Sequence, residues 1–174
     1  IKVLVSTSDK LTMKYLKKKY NNKVLLSKRD EKLSKINIDV ERTIINSAKF
    51  AKRKKIKFDY VFVLNFRNPF ITTKDLETSI NIMELFKTDE VIGVQAEASR
   101  FYQHDGSGLK ALNKTSPLRL EREEIFKETG GLRVVKPKFL NAKNKKMKKI
   151  GHVVLDRKSS HNIETDLDWK IAEI

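Results

Sequence analysis

The chain reads as an α/β protein with a mostly parallel sheet and helices on both faces, and three observations carry that reading. Short apolar runs suited to buried strands alternate with segments whose apolar residues recur at helical spacing. The alternation persists through the first half of the 174 residues, without a Pro, Gly or Ser-rich linker, so a single domain over 1–174 is expected. After it, Asp105-Gly106-Ser107-Gly108 lies between two strand-like runs and predicts a hairpin, a small added β lobe.

Ile1 to Ser6 has a buried-strand pattern, and Asp9 is placed to cap a helix marked by Leu11, Tyr15 and Leu16. Lys23 to Ser27 predicts a second strand. Ile38, Val40, Ile44, Ile45, Ala48 and Ala51 mark a long helix that ends in Lys52-Arg53-Lys54-Lys55. Tyr60-Val61-Phe62-Val63-Leu64 is the most apolar run, as expected of a central strand covered on both faces. It breaks at Asn65-Phe66-Arg67-Asn68-Pro69, and a helix restarts at Thr72 or Thr73 with Asp75 and Glu77 early and Leu76, Ile80, Met83 and Leu85 on its apolar side. Val91 to Val94, Leu132 to Val135 and Ile150 to Leu155 are later strands. In such sheets ligands sit beyond the carboxyl ends of the strands, which directs attention to Asn65 to Phe70, Ala96 to Phe101 and the segment around Asn162.

Composition narrows the partners. Lys and Arg number 38 against 22 Asp and Glu, a formal charge of +16, so an anionic partner is expected. The basic runs, Lys14 to Lys19, Lys49 to Lys57 and Lys143 to Lys149, lack the interleaved aromatics that stack bases, and they read as solvated helix faces. A nucleic-acid binder is kept only as a further alternative. There is no cysteine, which excludes disulfides and thiolate metal sites and fits a cytoplasmic setting. No apolar run approaches the roughly 18 residues of a membrane span.

Four segments, in order, resemble the cytidylyltransferases that activate sialic acids and related nonulosonic or octulosonic sugar acids as CMP-sugars. Val3-Leu4-Val5-Ser6-Thr7-Ser8-Asp9 is similar to the family's valine-rich strand ending in Ser-Thr-Asp. Val63-Leu64-Asn65-Phe66-Arg67-Asn68-Pro69-Phe70-Ile71-Thr72 resembles its Leu-Leu-Gln-Pro-Thr-Ser-Pro-Leu-Arg-Thr segment. Phe126-Lys127-Glu128-Thr129-Gly130-Gly131-Leu132 is similar to its Asn-Gly-Ala-Ile strand start. Asn162-Ile163-Glu164-Thr165-Asp166-Leu167-Asp168 resembles its Asp-Ile-Asp-Thr-Glu-Xaa-Asp signature. Thr115-Ser116-Pro117-Leu118-Arg119 spells one motif letter for letter but follows the hairpin, out of order.

The resemblance implies a nucleotide-diphospho-sugar-transferase-like fold, transfer of CMP from CTP to a sugar acid with release of pyrophosphate, Mg²⁺ as the cofactor, and a homodimer formed through the lobe from Leu112 to Leu140. It places the family's metal-binding aspartates on Asn162 and Glu164, which are also the catalytic candidates. Two residues apart on an extended segment, these project to one face. It places a nucleotide-facing arginine on Arg29 and substrate contacts on Asn65, Arg100, Arg119, Lys127 and Arg133. Thr165, Asp166 and Asp168 read as the capped start of a last helix.

The sequence also departs from the pattern, since Asn162 is neutral, Glu164 is a methylene longer than Asp, and Asn65 and Ile71 replace a glutamine and an arginine. Nothing in it corresponds to the family's opening strand and basic glycine loop. Two expectations stay open: an active enzyme whose front lies upstream of Ile1, and a catalytically degenerate member that serves as a binding or assembly module.

Overall fold

The computed structural model describes residues 1–34, 39–112, 125–140 and 149–174. They form two compact units, Ile1–Val61 with Val135–Lys148, and Phe62–Val134 with Lys149–Ile174.

In the first unit, strand β1 (Val3–Thr7) and strand β2 (Val24–Lys28) pair in parallel, with Val3 opposite Val24 and Ser6 opposite Ser27. Helix α1 (Lys10–Tyr20) connects them, and Asp9 caps it as expected, its carboxylate accepting from the Leu11 and Thr12 amides at 3.2 and 2.8 Å. The predicted apolar stripe of α1 needs correction. Leu11 and Tyr15 are exposed, and the side chains that turn partly inward are Met13 and Leu16, three residues apart. A row of lysines around the helix leaves no wide apolar face, so one narrow edge meets the sheet. Helix α2 (Val40–Arg53) begins at Asp39, whose side chain accepts from the Glu41 amide at 2.9 Å, and it buries Ile44.

The second unit carries a four-stranded sheet in the order β3 (Val61–Leu64), β7 (Ile125–Val135), β4 (Glu90–Glu97), β8 (Ile150–Val154). Strands β4 and β8 run parallel, Glu90 opposite Ile150 and Val94 opposite Val154. The expectation of a fully covered central strand at Tyr60 to Leu64 is not met within this sheet: β3 lies at one end of it, half-buried, and the buried stretches are most of β4 and β7 from Gly131 onward. Apolar density alone does not rank strands, because β4 reaches the interior with a glycine and short aliphatics. A Cβ at Gly93 would lie 2.9 Å from Leu155 Cδ1 and 3.2 Å from Leu132 Cβ, which is how closely the chain packs there.

Helix α3 (Thr73–Leu85) opens on a capping box in which Thr72 accepts from the Asp75 amide and Asp75 accepts from the Thr72 amide. Its buried face is Ser79 and Met83, both without exposure. Leu85, expected on that face, points to solvent instead, because it sits two positions past Met83, about 200° around the helix. The predicted hairpin forms from β5 (Tyr102–His104) and β6 (Leu109–Ala111), antiparallel, with Gly106 at φ 96° in the turn. Val91, Val94, Leu132, Val134, Val153 and Leu155 complete the core with Met83. Helix α4 (Asp166–Glu173) closes the chain with a second capping box, Thr165 with Asp168.

Candidate functional site

The loop after β3 holds the C-terminal segment in place. Asn65 makes its turn, its side chain accepting from the Arg67 amide at 3.1 Å and its carbonyl from the Asn68 amide at 3.0 Å. Asn68 is buried, and its Nδ2 donates to the His161 carbonyl at 3.0 Å. Two residues on, the Ile163 amide donates to the Arg67 carbonyl at 2.9 Å. Asn162 is therefore pinned on both sides. Gly131 of β7 makes room for this anchor, because a Cβ there would lie 2.7 Å from Asn68 Cγ and 2.8 Å from its Cβ.

Asn162 and Glu164 share one face, as the two-residue spacing predicts: Asn162 Nδ2 donates to Glu164 Oε1 at 2.6 Å. They line a cavity of about 320 Å³ together with Gln95 from β4, Lys127, Glu128, Thr129 and Gly130 from β7, and Ser160. Thr129 Oγ1 donates to the Gly93 carbonyl at 3.1 Å and fixes β7 beside β4 at the cavity wall. Lys127 brings a cation to a wall that holds two carboxylates, Glu128 and Glu164, beside amides and hydroxyls, so the cavity offers both charged and hydrogen-bonding groups to a ligand.

Asn162 Oδ1 is buried and has no hydrogen-bond partner, an orphaned acceptor of the kind that an ion or water normally satisfies. Beside it stands the Glu164 carboxylate. Among the described residues no group of three or more His, Cys, Asp or Glu gathers around a metal position. Asn162 Oδ1 and the Glu164 carboxylate are the oxygens of this pair that could hold a divalent cation such as Mg²⁺.

Thr165 and Asp168 form the cap that their pattern suggests, and Asp166 lies in the first turn of α4. Asp168 Oδ2 accepts from the Glu164 amide at 3.1 Å, from the Thr165 amide at 2.8 Å and from Thr165 Oγ1 at 2.8 Å. The Thr165 hydroxyl, foremost among these donors, holds the Asp168 carboxyl below its ordinary value of 3.8. The same carboxylate that starts α4 thus fixes the backbone under Glu164.

The other candidates are dispersed. Asn65 is engaged in its own turn and does not line the cavity. Arg133 pairs with Glu90, and Arg100 is exposed away from the cavity. Arg119 lies outside the described residues. Arg29 belongs to the first unit, where it lines a separate cavity of about 570 Å³ with Lys28, Asp30, Lys49, Lys52 and Arg53. Its amide donates to the Thr7 carbonyl at 2.9 Å, and its Nε is buried without an acceptor. Sequence reasoning missed Asn68, Gln95, Thr129 and Ser160 at the second unit's site, and in the first unit it took Lys49, Lys52 and Arg53 for a solvated face. The spacing of Thr43, Asn46, Lys49 and Lys52 along α2 is the signal that marks them as one row.

No protein-family model matches the chain, and no curated protein matches it significantly. Solved structures do. The 4-diphosphocytidyl-2C-methyl-D-erythritol synthase of Anaerococcus prevotii is similar with a TM-score of 0.65 at 14% identity, over 98% of this chain and 79% of that one. The bifunctional IspDF of Campylobacter jejuni is similar with a TM-score of 0.57 at 17% identity, over 97% of this chain and 41% of that one. CMP:2-keto-3-deoxy-manno-octonic acid synthetase, solved in complex with CTP, is similar with a TM-score of 0.56 at 14% identity, over 89% of this chain and 72% of that one. No helix among the described residues is long and apolar enough to cross a membrane. The fold of the chain is that of a cytidylyltransferase-like nucleotide-diphospho-sugar transferase.

Proposed function

We propose that the protein is a cytidylyltransferase that transfers CMP from CTP to a sialic-acid-like sugar acid, nonulosonic or octulosonic, and releases pyrophosphate. The observation that carries this reading is the cavity in which Asn162, Glu164 and Lys127 meet, on a fold shared with a structure that holds CTP. In this reaction a sugar hydroxyl oxygen bonds to the α-phosphorus of CTP, the bond from that phosphorus to the bridging oxygen breaks, pyrophosphate leaves, and the hydroxyl proton passes to solvent. The protein's share is to position two anions and offset their charge.

Lys127 fits the carboxylate of the acid. Gln95, Thr129 and Ser160 offer hydrogen bonds to hydroxyls around it. Asn162 Oδ1 and Glu164 are the oxygens that would hold Mg²⁺, which when bound neutralises charge on the phosphates. Arg29, in the other unit, is the proposed nucleotide contact. The backbone anchors from Asn68 and Asp168 keep the oxygen pair in place, so little reorganisation is needed on binding.

Pyrophosphate release from CTP by the full-length protein tests the proposal. The acceptor panel should hold nine-carbon and eight-carbon sugar acids beside a phosphorylated methylerythritol, since two similar structures carry diphosphocytidyl-methylerythritol or IspDF names. Release with a sugar acid supports the reading, and release with the methylerythritol alone transfers it to a different acceptor.

One observation favours the second reading, a degenerate member that retains binding without transfer. The neutral Asn162 spends its amide on Glu164, so this pair carries one negative charge where the resembled family has two aspartates. Calorimetry separates the readings: sugar-acid binding without Mg²⁺-dependent CTP binding supports degeneracy.

A further inference from the structure

The charge of the chain is divided unevenly. The first unit, Ile1–Val61 with Val135–Lys148, holds 24 Lys and Arg against 6 Asp and Glu, and the second, Phe62–Val134 with Lys149–Ile174, holds 14 against 16. The entire surplus of cations lies in the first unit. Part of it lines the larger cavity, of about 570 Å³, a volume in the usual range for small-molecule sites.

Five of its lining residues are cationic, Lys28, Arg29, Lys49, Lys52 and Arg53, against one carboxylate, Asp30. Asp30 is already engaged, its Oδ1 accepting from the Lys32 amide at 2.9 Å. Thr43, Asn46, Lys49 and Lys52 follow one another at intervals of three along α2, and Arg53 adjoins the last of them; from Thr43 to Lys52 the row runs about 14 Å. Ser6 and Ser27, opposite each other across the parallel pair, add two hydroxyls near the carboxyl ends of β1 and β2. Arg29 Nε is buried there with no acceptor, and a guanidinium donor so placed gains most from an anionic oxygen, for which its planar fork suits phosphate.

We propose that this cavity binds an oligophosphate, a ligand with two or more linked phosphate groups aligned along the Lys49 and Lys52 row beside Arg53, with Arg29 holding one end. A bound nucleic-acid strand is disfavoured by the lining, in which no aromatic side chain offers a stacking platform. The inference builds on the proposed nucleotide contact at Arg29 but concerns binding alone, so it can stand or fail separately from the transfer reaction.

Isothermal titration of the full chain with tripolyphosphate, CTP and a short single-stranded oligonucleotide, at about 0.15 M salt to screen exposed charge, tests it. Tripolyphosphate is expected to bind at one site, weakened about tenfold or more by Lys49→Gln/Lys52→Gln and by Arg29→Gln. The equal charge change Lys17→Gln/Lys18→Gln on α1, outside the cavity, is expected to leave affinity within about twofold. Competition by CTP with the same dependence on these residues identifies a nucleotide tail as the source of the phosphates. Tripolyphosphate binding without CTP binding identifies a free oligophosphate, and both results support the site. Absence of tripolyphosphate binding, equal weakening by the α1 pair, or tighter binding of the oligonucleotide overturns the proposal. Circular dichroism of each variant shows that it is folded, and Arg29→Gln serves alone if the double variant is not. A protein that binds tripolyphosphate in this way yet releases no pyrophosphate from CTP would refute the transfer reaction and leave this site standing.

Discussion

The Asn68 side-chain amide donates to the main-chain carbonyl of His161 at 3.0 Å, across 93 positions of sequence. Together with the Ile163 amide on the Arg67 carbonyl, it ties the loop after β3 to the segment that carries Asn162 and Glu164. Asn68→Ala removes a buried donor and leaves the His161 carbonyl without it, which is expected to cost about 1–3 kcal/mol in urea unfolding. Gly131→Ala should cost about as much, 1–3 kcal/mol by overpacking, because its Cβ would press on Asn68 at 2.7 Å. The two losses should be less than additive in the double variant, because both act through one contact.

Met83 is without exposure and anchors α3 in the second unit. Met83→Ala is expected to lower stability by about 2–5 kcal/mol, measured by the same unfolding curves. Leu85→Ala, two residues on but exposed, should change it by no more than about 0.5 kcal/mol.

Asp168 has its carboxyl held below 3.8 by the Thr165 hydroxyl first and the Thr165 and Glu164 amides after it. A carboxyl depressed in the folded state adds stability that is complete above the unfolded value and disappears as pH falls through the folded one. Protection of the α4 amides, measured as the exchange rate relative to the intrinsic rate at each pH, should therefore hold from neutrality down to about pH 5 and decline below 3.8. Thr165→Ala should move that onset upward toward the ordinary carboxylate value. An onset unchanged by the substitution would remove Thr165 as the cause.

The elements were legible where local chemistry announced them. Thr72 with Asp75, Thr165 with Asp168, Asp9 ahead of α1, and Asp105 to Gly108 each act within a few residues, and each does in the structure what its pattern predicts. Strand β7 was legible only from Leu132 onward, because Phe126 to Gly130 are mostly exposed and include a glycine at φ 68°, so no apolar alternation marks them. The pair Asn162 and Glu164 was legible from spacing. The partners that position it were not, since Asn68, Gln95 and Thr129 reach it from strands and loops tens of residues away. Arg133 shows the converse: its place in the sequence suggested a ligand contact, and its neighbour in space is Glu90.

The Asn162 substitution makes a direct prediction about the metal. Asn162→Asp restores a second carboxylate beside Glu164, and in the transfer reaction it should lower the Mg²⁺ concentration for half-maximal rate by about tenfold, since ligand charge sets affinity for hard cations. The same variant without Mg²⁺ should lose stability, because two carboxylates then face each other where an amide now donates at 2.6 Å. An unchanged Mg²⁺ dependence would place the ion elsewhere.

The most direct measurement is the release of pyrophosphate from CTP and a nine-carbon or eight-carbon sugar acid by the full-length protein in Mg²⁺. The account predicts release that requires both substrates and falls at least about tenfold in Glu164→Gln. A folded protein that releases none with any sugar acid, or that is indifferent to Glu164→Gln, would contradict it.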